Sequence, residues 1–359
     1  MDSLLYKEDW GEAQERYKAW WAHENIGRCG LWVTAPRADA PDEPKPEEPK
    51  DPEVKWRDLD YWARRMEWNF RRTFYGGEAV PIWNFGYPGR ESIGAFLGCP
   101  ITLGPDTGWV DPILTGDNLD VSALKIDPGN PWWKFTLNAL KFGAEQCRGK
   151  ALLSTGAFGG CGDTLAWLRG TEPLLFDVIE RPDEVSAAEE RLMDMWFEVF
   201  QAFNSITRPV TGGSAGWFSL WSPGKFYAVQ NDFSFNIGPD TFRQVFLPVI
   251  RRHTEFLDNS IYHVDGVDAF RHVEALCELP RLQALQILPG AGKPSPLHYL
   301  DVLRKVQAAG KNLHISIPCG EVETALRELS ARGLFIATSC QTEAEARDLL
   351  KKAEQWSHE

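Results

Sequence analysis

The chain has 359 residues, 43% hydrophobic and 25% charged, the balance of a globular protein large enough to bury a substantial core. Its formal net charge of −13 argues against broad contact with nucleic acid or an anionic membrane, because neutralising phosphates needs Lys and Arg. No apolar run approaches the roughly 20 residues that cross a bilayer, and the charged start MDSLLYKEDW does not read as a secretory leader. A cytoplasmic protein is expected, with neither membrane nor nucleic acid as partner. Seven scattered cysteines do not read as a disulfide framework; most are expected to be small buried hydrophobes. The 16 tryptophans read mainly as core residues, with an aromatic pocket for a flat, sugar-like or cationic ligand as the alternative around Trp217, Phe218 and Trp221.

In chain order, a helix is expected over 10–23 and a strand at GLWVTAP (30–36). Residues 36–54, rich in proline and acid, read as an exposed surface loop. A helix follows, with Leu59, Trp62, Met66, Phe70 and Phe74 on one stripe. AVPIWNFG (79–86) reads as a buried strand, while 98–131, rich in Gly, Pro and Asp, resists assignment. KALLSTGAFGG is a strand ending in glycines, and DTLAWLRG begins a helix. A long helix is expected over 182–204, a strand at GWFSLW (216–221), and a helix over 238–258 bent near Pro248. Four strands, 260–264, 282–288, 312–317 and 333–338, then alternate with helices at 267–277, 296–309, 320–331 and 342–356. The last helix opens on the capping-box pattern Thr342-x-x-Glu345.

This alternation predicts an α/β protein with a parallel sheet covered by helices. A closed (β/α)8 TIM barrel over 76–359, preceded by an N-terminal helical extension over 1–75, is the economical solution; a doubly wound open sheet is second. No G-x-G-x-x-G or P-loop motif is present.

ALLSTGAFGGCGDTLAWLRG, followed by PLLFDVIERPDEV, resembles the strand–glycine–helix segment of the uroporphyrinogen decarboxylase superfamily. GPDTFRQVFLPVIRRHTEFLDNSIYHVDG and GLFIATSCQTEAEARDLL resemble its next long helix and strand and its closing strand and helix. The resemblance spans about residues 150–355 and implies the barrel, not a particular reaction. The decarboxylase's RQAGR-type arginine motif is missing; Arg37 and Arg90 stand in other contexts. Zinc methyltransferases of the superfamily carry His-x-Cys on a middle strand and Cys after the last. His263, Asp265 and Cys340 stand at the matching places, with Asp265 the departure. The resemblance therefore implies a zinc site at these three residues and methyl transfer involving a corrinoid (cobalamin-type) or folate carrier. It also implies a corrinoid protein as partner and a homodimer, in which the Trp10, Trp20 and Trp21 arm would cover a neighbour.

From the residues themselves, His263 and Asp265 lie two apart on a strand and face one way, at the end where barrels place their chemistry. They are the catalytic candidates, joined by Asp232, which could equally cap a turn. Trp217, Trp221, Asn84, Gln286 and His314 are the substrate-binding candidates; Asn84 and Gln286 are polar groups on apolar strands. Cys340 is a metal ligand or an inert buried thiol, and His272 reads as a surface residue. The glycines at 156, 159, 160 and 162 allow a tight turn or a close ligand. Three functions follow. One is a methyltransferase, zinc-assisted, for a small aromatic or apolar substrate. Another is a metal-free decarboxylase or lyase of a small carboxylic acid using His263 and Asp265. The last is a non-catalytic ligand-binding barrel.

Overall fold

The computed structural model describes residues 3–86, 89, 92–218 and 220–358; Arg90 lies outside them. Its strands are β1 (Gly30–Pro36), β2 (Thr73–Gly77), β3 (Ile82–Trp83), β4 (Ile101–Leu103), β5 (Gly108–Val110), β6 (Leu152–Leu153) and β7 (Ser214–Ala215), followed by β8 (Trp221–Ser222), β9 (Phe226–Gln230), β10 (Asn259–Asp265), β11 (Ala284–Leu288), β12 (Asn312–Ser316) and β13 (Leu334–Ser339). Seven form one sheet in the order β2-β1-β13-β12-β11-β10-β9. All neighbours are parallel except β1 and β2, which run antiparallel. The protein is thus a mixed α/β fold on a mostly parallel sheet. β3 pairs with β6 in parallel, and Ser154 bridges Ala215 in parallel. Among the described residues, no helix is long and apolar enough to cross a membrane.

Period-two alternation divides the sheet into two faces. Leu31, Val33, Val229, Tyr262, Val264, Leu285, Ile287, Leu313, Ile315, Leu334 and Ile336 join the main core with the helices. The opposite face belongs to a second cluster, built by Phe226, Ala228, Ile261, Ala284 and Phe335 at the N-terminal ends of the strands. The Trp10–Trp21 helix closes that end: Trp10, Tyr17, Trp20 and Trp21 pack there beside Trp221. The arm expected to cover a neighbouring subunit covers its own sheet instead. Its indoles are satisfied in place, Trp20 donating to Gly333 O at 2.8 Å and Trp21 to Trp221 O at 2.9 Å. Beside it, buried Arg28 grips buried Glu78 through two bonds of 2.7 and 3.0 Å.

Several local expectations shift. The second helix spans Leu59–Arg72, and Phe74 falls on β2. β1, expected within the extension, is a strand of the central sheet. GWFSLW is not a strand: Trp217 and Phe218 bend between β7 and β8. The strand of this region is β9, FYAVQ. The long helix runs Pro182–Thr211. The break near Pro248 is a π-helical turn, Phe242–Phe246, ahead of the Leu247–Phe256 helix, where Pro248 supplies no N–H. His272 is buried, stacked on Phe242 at 4.2 Å with Nε2 3.0 Å from Ser234 O.

Candidate active site

Strand register places Gln230, His263, Gln286, His314, Phe335 and Gly30 in one row across β9, β10, β11, β12, β13 and β1. In-register residues share a face, so four polar side chains stand side by side above the apolar plug. His263 is 8% exposed, and its Nδ1 lies 2.5 Å from Gln286 Oε1. An amide oxygen accepts only, so Nδ1 carries the proton and donates to it, leaving Nε2 as the other working nitrogen. Trp217 stands edge-on to His263 at 5.0 Å, and Asn84 Nδ2 donates to the Trp217 carbonyl at 3.4 Å.

His314 shares the row but not the chemistry. It is 1% exposed, stacked on Phe335 at 5.4 Å and met edge-on by Phe218 at 5.3 Å, with both ring nitrogens unpartnered among the described residues. Burial first, and then the charge of His263, push it down to about 3. It is a neutral wall and not a proton carrier.

Beyond the row lies a cavity of about 570 Å³ lined by Asp163, Asp232, His263 and Gln230 against Trp167, Trp217 and Phe233. That is a usual size for a small-molecule site. Asp232 opens the 3-10 turn after β9 and is exposed to the cavity. Asp163 begins the Asp163–Arg169 helix, only 6% exposed, and accepts from Gln230 Nε2 at 3.0 Å and Phe233 N at 3.1 Å. Burial and then the charge of Asp232 push the Asp163 carboxyl up to about 7, against the pull of those bonds. Asp232 is also raised, by the desolvating cavity walls first; His263 opposes that rise and Asp265 adds to it. The charge of Asp232 thus disfavours ionisation of Asp163.

The glycine run makes this approach. A Cβ on Gly162, whose φ is +77°, would meet Asn231 Oδ1 at 2.1 Å, and one on Gly160 would meet the Gln230 carbonyl at 2.8 Å. The loop before Asp163 therefore lies directly on the end of β9. Behind it, Glu189 is 1% exposed and accepts from Gly162 N at 3.0 Å. Burial pushes Glu189 up to about 8.

The structure thus brings together His263, Asp232, Trp217, Gln286 and, through the Trp217 backbone, Asn84. Asp265 is exposed at the end of β10 and does not line the cavity. Trp221 does not reach it: it is buried in the second cluster, donating to Thr211 O at 3.1 Å and edge-on to Trp10 at 5.3 Å. Asp163, Glu189 and Gln230 were missed. Glu189 had a signal, a charge inside the apolar stripe of Val185, Ala188 and Leu192.

The expected zinc set does not assemble. Among the described residues, the one group of His, Cys, Asp and Glu with mutually close donor atoms is Cys319, Cys340 and Glu345. His263 and Asp265 sit on β10, separated from β13 by two strands. His263, Asp265 and Cys340 therefore do not fit a common metal. Compared with known proteins, the chain matches no family model and no curated protein.

Proposed function

We propose that this chain is an enzyme of acid–base chemistry, a lyase acting on a small molecule in the Asp163–Asp232–His263 cavity. The observation that carries the reading is Asp163, 6% exposed in the same cavity as Asp232 and His263, where burial pushes its carboxyl up to about 7. A carboxyl with that affinity takes up and returns protons near neutrality, as an ordinary aspartate cannot. In this reading Asp163 exchanges the proton, Asp232 holds the pair's charge, and His263, oriented by Gln286, serves the opposite side of the ligand.

The walls bear on the substrate. No Lys or Arg stands among the cavity's described lining residues, so a polycarboxylate would find no bidentate cationic partner among them. That counts against a porphyrinogen and agrees with the missing arginine motif. A small acid would have to bind through a protonated Asp163.

The second reading is methyl transfer. Carboxylates beside Trp167, Trp217 and Phe233 suit a methylated ammonium group, attracted by charge and by aromatic faces. A corrinoid or folate acceptor belongs to that reading. For the fold, we propose a (β/α)8 barrel of the uroporphyrinogen decarboxylase type, supported by the parallel β3–β6 pair and the parallel Ser154–Ala215 bridge, which extend the strand sequence beyond the main sheet.

The test is turnover followed by proton NMR with a panel of small carboxylic acids and methylated amines. Loss of CO₂ from an acid, abolished in Asp163→Asn, supports the lyase. Loss of an N-methyl signal only when an acceptor is present supports methyl transfer. Ligand binding without turnover of any panel member would reject both and leave a binding protein.

A further inference from the structure

We propose that Cys319, Cys340 and Glu345 bind a thiophilic divalent cation, with zinc the metal their chemistry selects. The site is independent of the cavity: none of the three lines it. Cys319 opens a 3-10 turn shortly after β12, Cys340 follows β13, and Glu345 stands in the first turn of the Glu343–Trp356 helix. Their donor atoms all lie within 4.8 Å of one another. The sulfurs are 2.8 Å apart, and Cys319 Sγ is 3.5 Å from Glu345 Oε1. Zinc bonds of about 2.3 Å to sulfur and about 2.0 Å to oxygen span such a group after small side-chain rotations.

The surroundings hold the donors in place. The Cys340 amide donates to Thr34 O at 2.8 Å, and its side chain is only 4% exposed. Glu345 Oε2 accepts from Gln341 N at 2.8 Å, and the Glu345 amide donates to Thr342 Oγ1 at 3.2 Å. The capping box therefore aims the other carboxylate oxygen at the thiols. Such supporting bonds are what orient metal ligands. What the group lacks, among the described residues, is positive charge. Among the described residues the charged group bonded to a thiol is Glu345, while Arg347, two residues on, is held by Glu343 at 2.6 Å. Two thiols and a carboxylate converging without a cation are a set that a divalent ion completes. Binding would release two thiol protons and leave a complex of net charge −1, with the fourth tetrahedral position open to water or a ligand. The placement also explains why Cys340 is missing from the set expected with His263 and Asp265.

The experiment titrates cobalt(II) into reduced, chelator-treated full-length protein and follows the thiolate-to-cobalt absorption. One equivalent should produce the band and one of zinc should remove it. Cys319→Ser and Cys340→Ser should abolish it, Glu345→Gln should weaken affinity by about tenfold or more, and His263→Ala should leave it unchanged. If the serine variants fail to fold, X-ray absorption of zinc in the native chain decides: two sulfur neighbours and no imidazole support the site. A band lost in His263→Ala, or imidazole at the zinc, overturns it in favour of the His263 set. So does the absence of any band while all seven thiols titrate, or a mass two hydrogens light that makes the pair a disulfide. Each result is separate from the fate of the acid–base reading, which rests on Asp163.

Discussion

The two ends of the central sheet solve opposite problems with neighbouring residues on the same strands. At the N-terminal end, Phe226, Ile261 and Phe335 meet Trp10, Tyr17, Trp20, Trp21 and Trp221 in a packed aromatic plug. Two residues past Ile261 the face turns polar at His263, and beyond that row the cavity holds Asp163 and Asp232. The closed end pairs its charges: Arg28 and Glu78 bond each other. The open end places two carboxyls in one cavity. One end is arranged for stability and the other carries an electrostatic cost, which is where a site of proton chemistry is expected.

That contrast can be broken in graded steps. The largest effect belongs to the closed end. Glu78→Ala strands the Arg28 charge in the core and should cost about 3–5 kcal/mol in urea denaturation, leaving ligand binding in the cavity intact once folded. At the open end the sign reverses. Asp163 is raised from 3.8 to about 7, so the folded state holds its proton more tightly than the unfolded chain. Stability falls as pH rises between those values, and the whole cost is present above about 7. Asp163→Asn, which cannot ionise, should therefore stabilise the protein at pH 8 by about 2–4 kcal/mol and do nothing below pH 4. A loss of stability at pH 8 would show that the carboxylate is compensated by something else.

Smaller effects sharpen the assignment within the cavity. Gln286→Leu removes the acceptor of His263 Nδ1 and should cost about 1–2 kcal/mol, with a change in the imidazole nitrogen shifts that identifies the tautomer. Asp232→Asn removes the second contributor to the Asp163 shift, so carboxyl carbon NMR should show Asp163 titrating lower. An unmoved titration would mean burial alone sets it.

Much of the fold was readable. β10 to β13 are short apolar runs between turn signals, and each appears within two residues of its expected limits. β9 was hidden because FYAVQ is brief and GWFSLW, richer in aromatics, competes for the same role. Trp221 misled for a related reason: a tryptophan on a strand does not disclose which end of the sheet it occupies. In the site, His263 and Gln286 were visible as polar residues on apolar strands. Asp163 was not, because an aspartate opening a helix after glycines looks like ordinary helix-start chemistry. Its meaning depends on β9 and the following turn, 67 and 70 residues away in sequence. Cys319 carries no signal in the sequence, since nothing local ties it to a thiol 21 residues on.

The row that carries His263 ends at Phe335 and Gly30, where a Cβ on Gly30 would sit 2.3 Å from the phenylalanine ring. The ring occupies the space a side chain would need, so the two positions are not independent. Gly30→Ala alone forces Phe335 off the His314 face, whereas Gly30→Ala with Phe335→Leu can be accommodated. The two positions therefore act as one unit: the space the glycine leaves open is the space the ring fills.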